Sequence, residues 1–366
     1  MKRVFHIVTH FDLGGAETVA VNIAKSAHPG FEYHLVEVVR GRGQFSDEFV
    51  RHLEDWGIRY HRSLVSNKKL GITLFPFWFI FLFLRYRPTI IHSHTEVPDL
   101  SVFLFNKLFG WLYRETKYVR TIHNTLLWDQ WGRIGRYVVP FFICHHSNIA
   151  ISFSVRDSYC EKYGERPPVV YNGLMEVKQQ PFMDVDHSKT NILFAGRLEY
   201  QKGVDELVEI IMRCQDHQDL VFWIVGSGSL LGKIKEMMAE TDNARYYEKI
   251  YHLSSYVGSF DYLLMPSNFE GLGLMSIEAS LAKVPVIINS CPGLNETLPA
   301  DWLLKVQNNN VEQYLEILSQ LNRYDHEALG MKAYKYVKEN FSIDKMQKDY
   351  EDFYYTSFLS DTTKNK

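Results

Sequence analysis

Short apolar runs recur along the chain, each followed by a longer stretch with helical spacing. They fall at 4–9, 33–39, 90–93, 118–121 and 148–152, then at 191–194, 220–225, 262–265 and 286–289. Such short continuous runs predict buried parallel strands, and their alternation with helices predicts an α/β architecture. The rhythm lapses once, over 176–190, where EVKQQPFMDVDHSKT is polar and contains a proline, before a fresh strand starts at Asn191. A domain boundary is expected there, giving an N-terminal domain over 1–178 and a C-terminal domain over 188–342. Open parallel sheets bind ligands beyond the carboxyl ends of their strands, so two such domains predict a ligand in a cleft with residues from both sides.

One helical stretch differs from the rest. Leu70–Leu84, LGITLFPFWFIFLFL, is apolar on every side and flanked by Lys68, Lys69, Arg85 and Arg87. Its length, about 22 Å at ~1.5 Å per residue, falls short of a hydrocarbon core of about 30 Å, and Pro76 is expected to interrupt it. Two readings stand. It is either a buried crossover helix or a membrane-facing element, helped by Trp111, Trp128, Trp131, Arg133, Arg136 and Tyr137 further on.

Composition narrows the class. A length of 366 residues at 46% hydrophobic and 23% charged fits two globular domains and excludes a disordered, collagenous or coiled-coil chain. A net charge of −3 gives no footprint for nucleic acid. The charge is uneven, however: residues 1–175 carry 21 Lys+Arg against 15 Asp+Glu, and the remainder 19 against 28. Cys144, Cys160, Cys214 and Cys291 lack CxxC spacing, so neither a disulfide framework nor a zinc site is expected, which suits a reducing cytosol. The start, MKRVFHIVTHF, reads as a first strand and not as a signal peptide.

Candidate chemistry sits just after the strands. Gly14-Gly15 lies between a strand and a helix, where backbone N–H groups can meet an anion; a tight connection is the alternative. The turn Gly226-Ser227-Gly228-Ser229 poses the same choice. Arg197 and Lys202, in AGRLEYQKG, put a planar fork and a point charge on one loop, a pairing suited to a diphosphate; solvated surface cations are the alternative. In PSNFEGLGLMSIEA, Glu270 precedes a turn whose residues Gly271, Leu272, Gly273 and Leu274 offer backbone N–H groups, and Glu278 follows eight positions after Glu270. Glu278 could be there for the helix dipole alone. His123, in RTIHN, ends a strand, where a functional histidine competes with a structural one.

The E-x7-E pattern, the AGRL…QKG loop, the GGAE turn and the strand-end pairs together resemble the family 4 glycosyltransferases of bacterial capsule, exopolysaccharide and lipopolysaccharide biosynthesis, over nearly the whole chain. The resemblance implies the GT-B fold: two Rossmann-like domains facing across a cleft, with the chain end at 343–366 packing back on the first. It also implies a retaining enzyme using a nucleotide diphosphate sugar, a UDP-sugar first of all, without metal or cofactor. Arg197 and Lys202 would then grip the diphosphate, Glu270 contact the donor sugar, Glu278 hold the ribose, and Gly14, Gly15, Gly226 and Gly271–Leu274 line the donor site. His123 would face the donor sugar and acceptor hydroxyl. His92 and His94 match a pattern that is structural or acceptor-side, and Asn172-Gly173 resembles the hinge turn.

There are departures. The loop that commonly reads GDGP or GEGP is GSGS here, and the stretch 245–259, where base contacts are expected, is short and irregular. Asp184-Val185-Asp186 imitates a metal-binding DxD but has no apolar strand before it to aim its carboxylates. The expected activity is transfer of one sugar to a polyprenyl-linked glycan or surface polysaccharide, in the cytoplasm at the anionic inner membrane face, with no nucleic-acid partner. The rivals are a nucleotide-sugar 2-epimerase of the same architecture and a catalytically silent scaffold paralogue.

Overall fold

The computed structural model describes residues 1–12, 14–26, 28–113, 115–128 and 131–362, with side chains up to Thr356. They form two compact units, one of Met1–Gly173 with the chain from Ile343 on, the other of Leu174–Ser342. The first unit runs β1 (Lys2–Val8), α1 (Gly15–Ala24), β2 (Phe31–Glu37), α2 (Gln44–Asp55), β3 (Arg59–His61), α3 (Lys68–Tyr86), β4 (Ile90–His94), α4 (Glu96–Phe109), β5 (Lys117–Ile122), α5 (Gly132–Cys144), β6 (Asn148–Ala150) and α6 (Phe153–Tyr163). The second runs β7 (Thr190–Ala195), α7 (Val204–Arg213), β8 (Leu220–Val225), α8 (Leu231–Glu240), β9 (Ala244–Tyr247), β10 (Tyr262–Met265), α9 (Leu274–Leu281), β11 (Val286–Asn289), β12 (Lys305–Val306), α10 (Val311–Ser319) and α11 (His326–Asn340). The final helix α12 (Ile343–Thr362) returns to the first unit.

Both sheets are parallel and six-stranded, ordered β3-β2-β1-β4-β5-β6 and β12-β11-β10-β7-β8-β9. Counted from its own first strand, the second repeats the order of the first, the doubly wound order of dinucleotide-binding folds. The winding reverses between β1 and β4 in one sheet and between β7 and β10 in the other. Loops leaving the carboxyl ends of those neighbours diverge, opening a crevice within each unit. Central strands such as β8, LVFWIV, are buried on both faces, which explains their unbroken apolar run.

Three details differ from the sequence-based expectation. The chain enters the second unit at Gly173–Leu174, ahead of the polar stretch. That stretch packs on the second unit instead: the Gln179 amide donates to Ser254 O at 3.0 Å, and Phe182 lies against Trp223 and Phe260. Helix α3 runs through Pro76 for 19 residues, from an Asn67 cap that accepts from Lys69 N and Leu70 N to Arg87 in left-handed backbone. It is neither buried nor exposed as a whole, because Ile72, Phe75, Phe79 and Phe83 are buried while Leu74, Phe77, Phe81 and Leu84 are exposed. By length and composition it could cross a membrane, but its inner face packs with α4, where Phe79 and Phe83 meet Phe105.

Buried Glu37, ending β2, fastens the loops around the first crevice. One carboxylate oxygen accepts from Phe11 N and Gly41 N, the other from Ser63 N and Arg62 Nε, all at 3.1 Å. Helix α12 closes the opposite side of the core with Tyr350 and Tyr354, both buried beside Val4, Phe31 and Ile90.

Candidate active site

In the second unit the crevice is made by the loop after β7, which carries Arg197 and Lys202, and the loop after β10, which carries Glu270. The two loops are joined where the sequence places its charges. Lys202 Nζ donates to Glu270 Oε1 at 2.6 Å, and Ser267 Oγ donates to the same oxygen at 2.8 Å. Glu270 is buried and Lys202 half-buried, so this ion pair is held in place by its surroundings. Gly203 explains the close approach: its φ is +67°, and a Cβ there would run into the Pro266 carbonyl. Arg197 is exposed and, among the described residues, bonds the neutral amide of Gln201 at 2.8 Å, leaving its charge available.

The residues after Glu270 turn into α9 at Gly273, which adopts left-handed backbone at φ +62°. The first-turn N–H groups of a helix have no intrahelical acceptors, so this end suits an anion. Glu278 lies in the second turn of α9, which removes the dipole explanation for it. The residue as a whole is half-buried, and burial of its carboxyl pushes it up to about 7. The glycine turn after β8 has a different use from an open anion site. A Cβ on Gly226 would strike the Gly196 carbonyl and one on Gly228 the Leu198 carbonyl, while Ser229 N and Oγ donate to Glu199 at 2.8 and 2.5 Å. The turn is thus a packing surface for the Arg197 loop, and Glu199, which the sequence reading passed over, occupies its N–H.

In the first unit, Gly14 and Gly15 begin α1 at the corresponding crevice. Glu17 folds back over Gly14, so that a Cβ there would meet its carboxyl, and burial raises that carboxyl to about 7. An anion here would have to displace Glu17. His123, just beyond β5, is bonded through Nε2 to His94 Nδ1 at 3.2 Å, and burial pushes its ring down to about 3. His94 Nε2 in turn meets His6 Nδ1 at 2.9 Å. His92 stands apart from this line, bonded to Tyr354 OH and Thr121 Oγ1, each at 2.7 Å. Among the described residues His6, His92 and His94 form the group that could hold a metal ion, with ligand atoms within 4.8 Å of one another. The DxD imitation has its carboxylates in use locally: Asp184 accepts from Tyr247 OH, and Asp186 from Ser188.

Two doubly wound units, one with a cation and a carboxylate paired at its switch point above a glycine-opened helix, are the features of the GT-B class. Residues 13–175 match the family described as Glycosyltransferase Family 4, and residues 189–323 match Glycosyl transferases group 1. The chain belongs to glycosyltransferase family 4. A protein of the Klebsiella pneumoniae cps region is 36% identical over 142 residues, 36% of this chain and 38% of the relative. An uncharacterized glycosyltransferase of Methanocaldococcus jannaschii is 27% identical over 268 residues, 70% and 72% of the two chains. The Staphylococcus aureus capsular polysaccharide biosynthesis glycosyltransferase CapH is 23% identical over 296 residues, 76% and 79%. The matches therefore span from 38% to 79% of these relatives' own length. Among solved structures, Anabaena HepE in complex with UDP-glucose shares the fold at a TM-score of 0.79 and 16% identity, over 97% of this chain and all of that one.

Proposed function

We propose that the protein transfers a sugar from a nucleoside diphosphate sugar, a UDP-sugar first of all, to a growing surface polysaccharide or lipid-linked oligosaccharide, with retention at the anomeric carbon. The observation that carries this reading is the Lys202–Glu270 pair at the β7/β10 switch point, with Arg197 on the same loop. A diphosphate that leaves with negative charge needs cations and N–H groups already in place, and electrostatic stabilisation of that kind is usually the largest catalytic contribution. Arg197, Lys202 and the backbone of Gly271–Leu274 supply it. Glu270 is tied to Lys202 and Ser267, which suits orienting the sugar and not attacking it.

The bond from the anomeric carbon to the diphosphate oxygen breaks, the acceptor oxygen bonds the same carbon from the same face, and its proton passes to the departing diphosphate. Glu278 accepts from the ribose hydroxyls, and His123 serves the sugar and acceptor. Gly226 acts through the Arg197 loop, and Gly14 and Gly15 through the start of α1. No metal or cofactor is called for, since the protein's own cations face the diphosphate. The Anabaena neighbour's UDP-glucose and the capsular relative support the donor and acceptor classes. The cytoplasmic membrane face is the proposed location, with the exposed side of α3 and its flanking cations as the contact.

The test is release of UDP from UDP-sugars in the presence of polyprenyl-linked acceptor, with the product's anomeric configuration read by proton NMR. Wild type is expected to turn over to an α product from an α donor, and Glu270→Ala to lose transfer while keeping its circular dichroism and melting midpoint. Retained transfer in that variant contradicts the assignment.

A further inference from the structure

Three histidines on three adjacent elements of the first sheet form one hydrogen-bonded line. His6 is on β1 and His94 on β4, and His123 follows the end of β5. In the register His6 pairs with His92 and His94 with Thr121, so His6, His94 and His123 project from the same side of the sheet. The line runs His6 Nδ1 to His94 Nε2 at 2.9 Å, then His94 Nδ1 to His123 Nε2 at 3.2 Å. At one end, His6 Nε2 is fully buried with no hydrogen-bond partner among the described residues; at the other, Nδ1 of half-buried His123 has none among them and is left for a ligand.

Burial keeps all three rings neutral at physiological pH. Each neutral imidazole carries one N–H and one lone pair, so two bonds among three rings permit only two proton orders. In one, every Nδ1 is protonated: His6 donates to His94, His94 donates to His123, and His123 offers its Nδ1–H outward. In the other every Nε2 is protonated, and the buried Nε2–H of His6 donates to nothing. An orphaned buried donor is rarer and costlier than an orphaned acceptor, so the first order prevails.

We infer that His6 and His94 are positioning residues that hold His123 in its Nδ1–H form, so that it meets its ligand as a hydrogen-bond donor and not as a base. The ligand atom is then an oxygen that accepts, a sugar hydroxyl or phosphate oxygen. This rests on the reading of His123 given above and adds to it the proton that residue carries, leaving the leaving diphosphate as the base. His92 takes no part, since Tyr354 and Thr121 use both its nitrogens.

The experiment is long-range proton–nitrogen NMR of the full chain labelled with 15N-histidine, at neutral pH without added metal, with signals assigned by their loss in His6→Asn, His94→Asn and His123→Asn. His6, His94 and His123 are expected to show a protonated Nδ1 and a bare Nε2. Nε2–H forms at His94 and His123, imidazolium signals, or bound zinc on His6, His92 and His94 would overturn the inference. A second arm separates positioning from bulk structure. His94→Asn, whose amide restores a donor where Nδ1–H was, is expected to keep His123 in its Nδ1–H form and keep kcat within about threefold. His94→Leu is expected to lose that form and to lower kcat about tenfold at unchanged donor KM. Equal kcat in the two variants at equal melting midpoints counts against it. Because the NMR needs no turnover, an inactive protein with the expected tautomers would overturn the transferase reading and leave the proton order standing.

Discussion

Lys202 and Glu270 are worth more together than apart. Glu270 is buried, and removing its cation leaves a carboxylate that, among the described residues, has Ser267 alone to meet it. Lys202→Met is therefore expected to weaken sugar-nucleotide binding by roughly 10- to 100-fold, the range of a lost charged hydrogen bond, measured by calorimetry; an unchanged Kd contradicts the role. Glu278 gives a pH signature. Its carboxyl sits at about 7 in the free protein, while ribose hydroxyls donate best to the ionised form, so binding expels a proton. Affinity for a UDP-sugar should be flat above pH 7 and fall about tenfold per unit below it, and Glu278→Gln should be flat throughout. Folding runs the other way: because the folded carboxyl is raised from 4.5, the native state binds more protons than the unfolded chain between pH 4.5 and 7. Stability from this group falls as pH rises through that window, so Glu278→Gln should gain on wild type toward pH 7 in thermal melts. Arg197, Lys202 and Glu270 were legible because charge beside glycine after a strand is a local pattern, and Glu278 by its spacing of eight positions from Glu270. Glu17, Glu37 and Glu199 were not, since each bonds backbone far from, or folded back upon, its own place in the sequence.

Elements were read in proportion to their burial. The strands found in advance are buried along most or all of their length, even three-residue β6 and four-residue β10 and β11, whereas the three missed, β3, β9 and β12, are edge strands that are partly buried or exposed and so carry no unbroken apolar run. Pro76 misled for a related reason: a proline ends an isolated helix, but packing of Phe75 and Phe79 holds this one through it. The exposed stripe of α3, with Phe77 at 53% and Phe81 at 71% exposure, continues past the end of α4 to Trp111 at 71%. Lys68 and Arg85 flank it with no acid in the helix. Sedimentation with anionic vesicles is expected for wild type and should fall at least fivefold for Phe77→Glu with Phe81→Glu, melting midpoint unchanged. Equal sedimentation of both, or none for wild type, contradicts the proposed contact. The Glu37 clasp is also an element-scale device: Glu37→Ala strands Arg62 and three N–H groups, and should cost about 3–5 kcal/mol in urea unfolding. A loss under ~1 kcal/mol would show that the β1 and β2 loops hold without it.

At the scale of the molecule, one strand order is used twice and loaded differently. The first unit lines its crevice with Gly14, covered by Glu17, and with neutral histidines; the second lines its own with two cations, a buried carboxylate and a helix start. That asymmetry is what supports the proposal that the second unit binds the donor. The fold itself was legible because two sets of buried parallel strands leave little choice of architecture, while the crossing at Gly173 was obscured by a polar segment that packs on the second unit. The most direct test of the donor site is a thermal-shift series with UDP, GDP, ADP and their sugar conjugates, with and without EDTA. A uridine conjugate at about 100 times its Kd should stabilise the protein by ~2.7 kcal/mol, a rise of roughly 5–10 °C. The rise should survive EDTA and shrink in Lys202→Met. No shift with any of the nucleotides, or a shift that EDTA abolishes, would contradict a metal-independent donor site built on Arg197, Lys202 and Glu270.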